Sequence, residues 1–140
     1  MKKAIFLILI ILTLSACSSS TEVSNNNFEK ADRLEIINFH SSYQCYACNY
    51  IGDNIFEIID RNFRNEYQSG KIVFKKINVD KSENKDLVDK YQARGSSLFF
   101  NAIYKDKDNI SEDVNIWRMV GNDQSFELYI VRKINEILYD

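Results

Sequence analysis

Two cysteines separated by two residues, Cys45 and Cys48, lie where an apolar strand-like run from Leu34 to His40 gives way to a helical pattern. Two thiols at this spacing can close a small disulfide ring. The free N–H groups and the positive dipole end at a helix start would favour the thiolate form of Cys45. The same spacing also occurs as half of a zinc site, so the pair by itself leaves redox chemistry and metal binding open.

The third cysteine, Cys17, is explained by the residues that precede it. A basic Met1-Lys2-Lys3 start, an apolar stretch and the small residues of Leu-Ser-Ala before Cys17 are typical of a secretion signal rather than a membrane-spanning helix. Leu-Ser-Ala-Cys resembles the lipobox of bacterial lipoproteins. That resemblance implies a signal peptide over residues 1–16, cleaved before Cys17, and a lipid on the Cys17 thiol. The alternative is an ordinary signal peptide followed by a free cysteine.

Charge and composition predict one mildly acidic domain on a short tether. Loss of Lys2 and Lys3 with the signal peptide moves the formal charge from −2 to −4, and no Lys/Arg cluster remains to bind nucleic acid or a membrane surface. The polar residues 18–27 have no apolar periodicity, so we expect residues 17–33 to be a flexible tether and residues 34–140 to form the domain. We expect a monomer in the bacterial cell envelope, lipid-anchored to a membrane on its extracytoplasmic face.

The remaining two cysteines belong to the same motif, in a compartment where disulfides persist. Cysteines that staple a secreted domain usually bridge distant segments, because a disulfide that closes a short loop constrains the unfolded chain little. The pair is therefore better suited to chemistry than to stability.

The order of apolar patterns predicts an α/β domain. Strands are expected over 34–40, 72–79, 97–104 and 114–120, and helices over 45–68, after Ser82, and after Asn122 or Asp123. A strand, a helix and a strand in succession imply a parallel pair, whereas the last two strands form a hairpin around the polar turn 105–113. The result is a four-stranded mixed sheet flanked by helices, in the order βαβ-α-ββα.

This order, with C-x-x-C at the first strand-to-helix turn, resembles the minimal thioredoxin-like fold. The segments Ile37–Phe39, Lys76–Asp80 and Tyr91–Gly95 look like their thioredoxin counterparts. Phe39–Ser42 before the motif and Gly95–Asn101 are similar to small thioredoxin-like bacterial lipoproteins of the ArsF family, the subunit of a nitrophenyl-compound nitroreductase. The resemblance implies passing electrons with a partner. We expect no cofactor beyond the Cys45–Cys48 disulfide, because the sequence contains no glycine-rich strand-to-helix turn that would bind flavin or nicotinamide.

The chain departs from ordinary thioredoxins at three places. It contains no proline, so Ser97 stands where the family has a cis-proline, and either a non-proline cis bond or a relaxed loop is expected there. Asn38 replaces the buried aspartate of the family and cannot act as a base. Lys76 matches the accompanying lysine, which either favours the thiolate or simply reaches solvent. Tyr46-Ala47 between the cysteines brings no positive charge to Cys45.

The predicted mechanism assigns Cys45 as the nucleophile and Cys48 as the resolving thiol, acting on an unidentified protein disulfide or dithiol. Tyr43 and Tyr46 either contact this partner or cover the helix start. His40, the only histidine, is expected to bond within its loop rather than to join the cysteines in a metal site. Two alternatives to a thiol–disulfide oxidoreductase remain. They are a partner-binding lipoprotein of the same fold without turnover, and a metal or iron–sulfur carrier using the same cysteines.

Overall fold

The structure is a computed structural model that describes residues 29–140. The predicted signal peptide, Cys17 and most of the predicted tether lie outside the described residues. Four strands, four α-helices and two short 3₁₀ helices are described. In chain order they are β1 Arg33–His40, α1 Tyr46–Asn62, α2 Arg64–Gln68, β2 Ile72–Asn78, a 3₁₀ turn Ser82–Asn84, α3 Lys85–Tyr91, β3 Ser97–Tyr104, β4 Lys107–Glu112, a 3₁₀ helix Asn115–Met119 and α4 Asp123–Leu138.

The strands form one mixed sheet in the order β2-β1-β3-β4. β1 pairs in parallel with β2, and β3 is antiparallel to both β1 and β4. The predicted α/β class and the βαβ-α-ββα element order are thereby confirmed, and this arrangement is that of the minimal thioredoxin-like fold.

Helices cover both faces of the sheet because successive β1 side chains point to opposite sides. Leu34 and Ile36 pack in the larger apolar cluster, with residues of α1 and α4. Ile37 and Phe39 belong to a smaller cluster that includes Tyr91 of α3. β1 is therefore buried on both faces, as the near-continuous apolar run in its sequence predicts. Its carboxyl end opens into the loop that carries the cysteines.

The predicted fourth strand at 114–120 is wrong. β4 instead occupies Lys107–Glu112, and most of the segment assigned to a strand is the 3₁₀ helix Asn115–Met119. Lys105 and Asp106 adopt positive φ angles of 49° and 63°, which close a two-residue hairpin turn much earlier than expected. As an edge strand with one neighbour, β4 needs no apolar face, so its polar sequence gave no strand signal.

Two further boundaries differ from the prediction. The helix expected over 45–68 is divided at Phe63, whose backbone leaves the helical region at φ −136° while its side chain stays buried. The packed domain also includes Ala31 and Asp32, which the sequence analysis places in the tether. Ala31 is buried and donates its N–H to the Ile137 carbonyl at 3.0 Å.

Candidate active site

Cys45 is the N-cap residue of α1, and Cys48 lies one turn inside that helix. The backbone N–H of Cys48 donates to the Cys45 sulfur at 3.2 Å, so this sulfur occupies the capping position that receives free helix N–H groups. The two residues are disulfide-bonded with a Cα–Cα separation of 5.1 Å. Cys45 is exposed, whereas Cys48 is only 7% exposed. The arrangement places one sulfur where a partner can reach it and the other behind it.

The electrostatics of the helix start favour a thiolate at Cys45 once the disulfide is reduced. The first turn of α1 contains no acidic residue that would oppose the negative charge. The N-terminal end of the helix dipole and the Cys48 N–H both stabilise negative charge on the Cys45 sulfur. No lysine or arginine is present between Ile36 and Gly52, so no basic side chain of this segment adds to the stabilisation by the helix backbone.

The loop between β1 and α1 is held against the segment that follows β2. Ser42 donates its backbone N–H to Asp80 Oδ2 at 2.7 Å, and Asn78 Nδ2 donates to Ser42 Oγ at 3.2 Å. Val79 N–H donates to the His40 carbonyl at 2.9 Å. Because these bonds fix the residues immediately before Cys45, Asp80 positions the motif although it is far from it in sequence.

The bonds from Ser42 hold the pKa of Asp80 below its ordinary value of 3.8. A depressed pKa means that the carboxylate holds the loop at neutral pH and that this contribution disappears as the pH falls below 3.8, through the folded-state pKa. We expect the Ser42 amide proton resonance to titrate with a midpoint below 3.8 in NMR spectra. Asp80→Ala should abolish this titration, whereas Asp86→Ala on exposed α3 should leave it unchanged. A Ser42 resonance that titrates equally in Asp80→Ala would contradict the assignment.

Beneath the helix start, Asn38, Gly52 and Lys76 come together. Asn38 is 2% exposed, and its Oδ1 has no hydrogen-bond partner within residues 29–140. Gly52 lies four residues after Cys48 and so on the same face of α1. Lys76 is the β2 residue in register with Asn38, and its ammonium donates to Asp53 Oδ1 at 2.8 Å. The Lys76 ammonium is thus paired with a carboxylate near the surface, and its effect on the Cys45 thiolate stays a prediction.

The side chains of Asn38 and Lys76 leave no room for a Cβ atom at Gly52. A Cβ at Gly52 would lie 2.7 Å from Asn38 Oδ1 and 2.8 Å from Lys76 Cε. The lysine can move aside, but buried Asn38 cannot. We therefore expect Gly52→Ala to lower the free energy of unfolding by about 1–2 kcal/mol, because the overpacking outweighs the helix propensity of alanine.

Urea denaturation measures this effect, and Asn49→Ala on the exposed side of α1 is the matched control. That control should be neutral or slightly stabilising, since it adds helix propensity without a contact. A Gly52→Ala protein that gains stability as the control does would show that Asn38 is free to move.

Ser97 is the first residue of β3 and lies opposite Phe39 near the carboxyl end of β1. It is buried, and its hydroxyl donates to the Gly95 carbonyl at 3.1 Å. No cis peptide bond occurs within residues 29–140, so the loop takes the relaxed alternative. A cavity of about 350 Å³ opens beside Ser97 and Ser96.

Two tyrosines flank the exposed sulfur. The side chains of Tyr43 and Tyr46 are 95% and 73% exposed, so neither covers the helix start. Tyr50, one turn further along α1, donates to Asp123 Oδ1 at 2.5 Å and is fixed against α4. Burial and that carboxylate raise the pKa of Tyr50 to about 12. Tyr43 and Tyr46 thus provide aromatic surface next to Cys45, on a segment without Asp, Glu, Lys or Arg.

His40 lies at the end of β1 with its Nδ1 3.0 Å from the Ser41 carbonyl oxygen. Within residues 29–140, no group of three or more His, Cys, Asp or Glu is arranged to hold a metal ion. In the same part of the chain, no helix is both long and apolar enough to cross a membrane.

The sequence analysis predicted that five site residues lie at one end of the sheet, and the structure places all five there. They are Cys45, Cys48, Asn38, Ser97 and Lys76. It missed the roles of Ser42, Asp80 and Gly52. A glycine inside an otherwise helical pattern was the available signal for Gly52, since it marks a close approach. Nothing local identifies the Ser42–Asp80 bond, which joins residues 38 positions apart.

Residues 1–18 match the model for the prokaryotic membrane lipoprotein lipid attachment site, which indicates a lipid-anchored envelope protein. The chain is similar to an uncharacterised thioredoxin-like protein from Clostridium perfringens solved in solution. The TM-score is 0.46 at 14% sequence identity, over 85% of this chain and 90% of that chain. No curated protein matches the chain.

Proposed function

We propose that this lipoprotein is a membrane-anchored thiol–disulfide oxidoreductase that uses Cys45 and Cys48. The observation that carries the proposal is the division between the two sulfurs. Cys45 is exposed at the N-terminus of α1, and Cys48 is buried one turn behind it. A nucleophile needs access and a stabilised thiolate, whereas a resolving thiol needs only to reach its neighbour.

In the reducing direction, the Cys45 thiolate attacks one sulfur of a partner disulfide. The partner S–S bond breaks, a mixed disulfide forms, and the released partner thiolate takes up a proton. Cys48 then loses its proton and attacks the Cys45 sulfur. This step forms the Cys45–Cys48 disulfide and releases the second partner thiol. Two electrons pass to the partner, and its two released thiolates take up the proton lost by Cys48 and one proton from water. The same steps in reverse oxidise a partner dithiol.

Asn38 contributes no proton transfer to this sequence, because an amide does not ionise. The Cys48 proton must therefore leave to water or to the released thiolate. The aromatic surface of Tyr43 and Tyr46 would contact the partner around its disulfide. The resemblance to the ArsF family supports an electron-passing role beside a partner subunit.

Trapping of the mixed disulfide tests the proposal. Reduced Cys48→Ser protein, mixed with a disulfide-containing peptide, should form a stable one-to-one covalent adduct that is visible by mass spectrometry and lost on reduction. The double variant Cys45→Ser/Cys48→Ser is the matched control and should form none. An absence of adduct with Cys48→Ser would favour the partner-binding alternative. Stoichiometric metal in anaerobically purified protein would favour the carrier.

A further inference from the structure

The described chain begins at the end of the sheet that lies opposite the cysteines. Ala31 N–H donates to the Ile137 carbonyl at 3.0 Å, and Asp32 N–H donates to the Ile103 carbonyl at 2.8 Å. The Asp32 carboxylate accepts the N–H of Lys105 at 2.7 Å. These bonds fix the start of the domain to the β3–β4 turn and to the last turns of α4. We call this region the tether end.

The cysteines follow the other end of β1. This strand has eight residues, so its two ends are about 23 Å apart at the usual rise per residue. The register supports the same separation, because Arg33 pairs with Ile103 near the tether end while Phe39 pairs with Ser97. We call the region of Cys45, Tyr43 and Tyr46 the dithiol end. A connection that begins at the tether end must therefore pass the length of the sheet to approach the dithiol.

The length of chain between the proposed lipid and the domain limits how the domain can turn. Glu29 lies twelve residues after Cys17, so the connection between them spans at most about 43 Å when fully extended. A domain of this size is about 34 Å across, from the usual scaling of its radius of gyration. Bringing the dithiol end to the bilayer would require the connection to run the length of the domain, at roughly four-fifths of its full extension. The conformational entropy of the chain disfavours that arrangement.

From this placement we propose that the dithiol end faces away from the membrane and that its partner is a disulfide or dithiol on a water-exposed protein domain. A cysteine pair or lipophilic oxidant within the bilayer would be out of reach. The proposal rests on the oxidoreductase function and on lipidation of Cys17. Because residues 37–52 contain no Asp, Glu, Lys or Arg, recognition by this segment itself would depend on apolar and hydrogen-bonding contacts rather than on its own charge.

Energy transfer to the membrane surface tests the orientation without any redox step. The full-length lipidated protein is placed in phosphatidylcholine vesicles that contain a headgroup-labelled acceptor lipid. A donor dye is attached to Cys45 in Cys48→Ser, or to the cysteine of Lys107→Cys in Cys45→Ser/Cys48→Ser. Lys107 is exposed and follows the β3–β4 turn at the tether end. Transfer should be several-fold greater from position 107 than from position 45. Equal transfer, or greater transfer from position 45, would overturn the proposal.

The opposite orientation, with the dithiol end at the bilayer, would place Tyr43 and Tyr46 at the membrane surface, where exposed tyrosines are also found. If they were seated among the headgroups, transfer from position 45 would fall when both are changed to alanine. The proposal predicts no change.

Exchange kinetics test the partner class. A soluble disulfide peptide should react equally with vesicle-bound and detergent-solubilised wild-type protein, whereas the same peptide joined to a lipid by a short linker should react several-fold more slowly. Equal rates for the soluble and lipid-linked peptides would overturn the assigned partner. Absence of exchange with either peptide overturns the proposed function, and the partner with it, while energy transfer decides the orientation independently.

Discussion

Replacing Cys45 with serine is expected to reduce the rate of protein disulfide reduction to the uncatalysed background. The exposed sulfur at the N-cap of α1 is then lost, and Cys48, at 7% exposure, cannot meet a partner disulfide in its place. Insulin reduction driven by dithiothreitol measures the change. The Cys48→Ser variant should also fail to turn over, but it should still make the first attack and accumulate the mixed disulfide.

Stability does not account for this difference between the two serine variants. Each removes the same ring, and in the chain-entropy model a loop this short contributes about 2 kcal/mol. Loss of the ring therefore costs both variants the same free energy of unfolding, and it does not explain why only one of them forms the adduct. Turnover by Cys45→Ser comparable to that of the wild-type protein would contradict the assignment of Cys45 as the nucleophile.

Replacing Asp113 with alanine is expected to have the largest effect on stability. The carboxylate is 1% exposed and accepts bonds from Lys133 Nζ at 2.6 Å and from the Tyr129 hydroxyl at 2.7 Å. It also accepts the N–H groups of Asn115 and Ile116, which start the 3₁₀ helix. Its removal leaves a cation and two N–H groups without their acceptor. Because Lys133 keeps 24% of its side-chain exposure, we expect a loss of about 3 kcal/mol, at the low end for a broken buried pair.

Urea denaturation of Asp113→Ala and two further variants separates the cost of leaving the Lys133 charge unpaired from the rest of the loss in stability. Asp113→Asn/Lys133→Met removes both charges and should recover part of the loss. Glu136→Ala, in the exposed Arg132 pair on the same helix, is the control and should cost about 0.5 kcal/mol or less. An Asp113→Ala variant no less stable than this control would show that water replaces the carboxylate without cost.

The sequence predicted the elements whose apolar pattern is strong. β1, β3 and α4 bury most of one face or both, so their periodicity survives in the sequence, and the position of Cys45 and Cys48 follows from the boundary between β1 and α1. β4 was missed because an edge strand with one neighbour can be polar throughout. The helix break at Phe63 was missed because no glycine or proline marks it.

The parts of the site that could not be predicted depend on contacts between distant segments. Asp113 reads locally as a turn residue, and only the fold brings Lys133 and Tyr129 to it. Asp80 reaches Ser42 only because β2 lies parallel to β1. In both cases a carboxylate is held by partners that a local pattern does not reveal.

The equilibrium between the dithiol and the disulfide distinguishes a redox-active Cys45–Cys48 pair from a structural one. The full-length protein is equilibrated with defined ratios of reduced and oxidised glutathione or dithiothreitol, and the free thiols are alkylated and counted by mass spectrometry. We predict a reversible transition with a potential between about −120 and −270 mV, the range of proteins that exchange disulfides. A Cys45–Cys48 bond that stays oxidised at all ratios, with a potential below about −300 mV, would identify a static structural disulfide and contradict the oxidoreductase function.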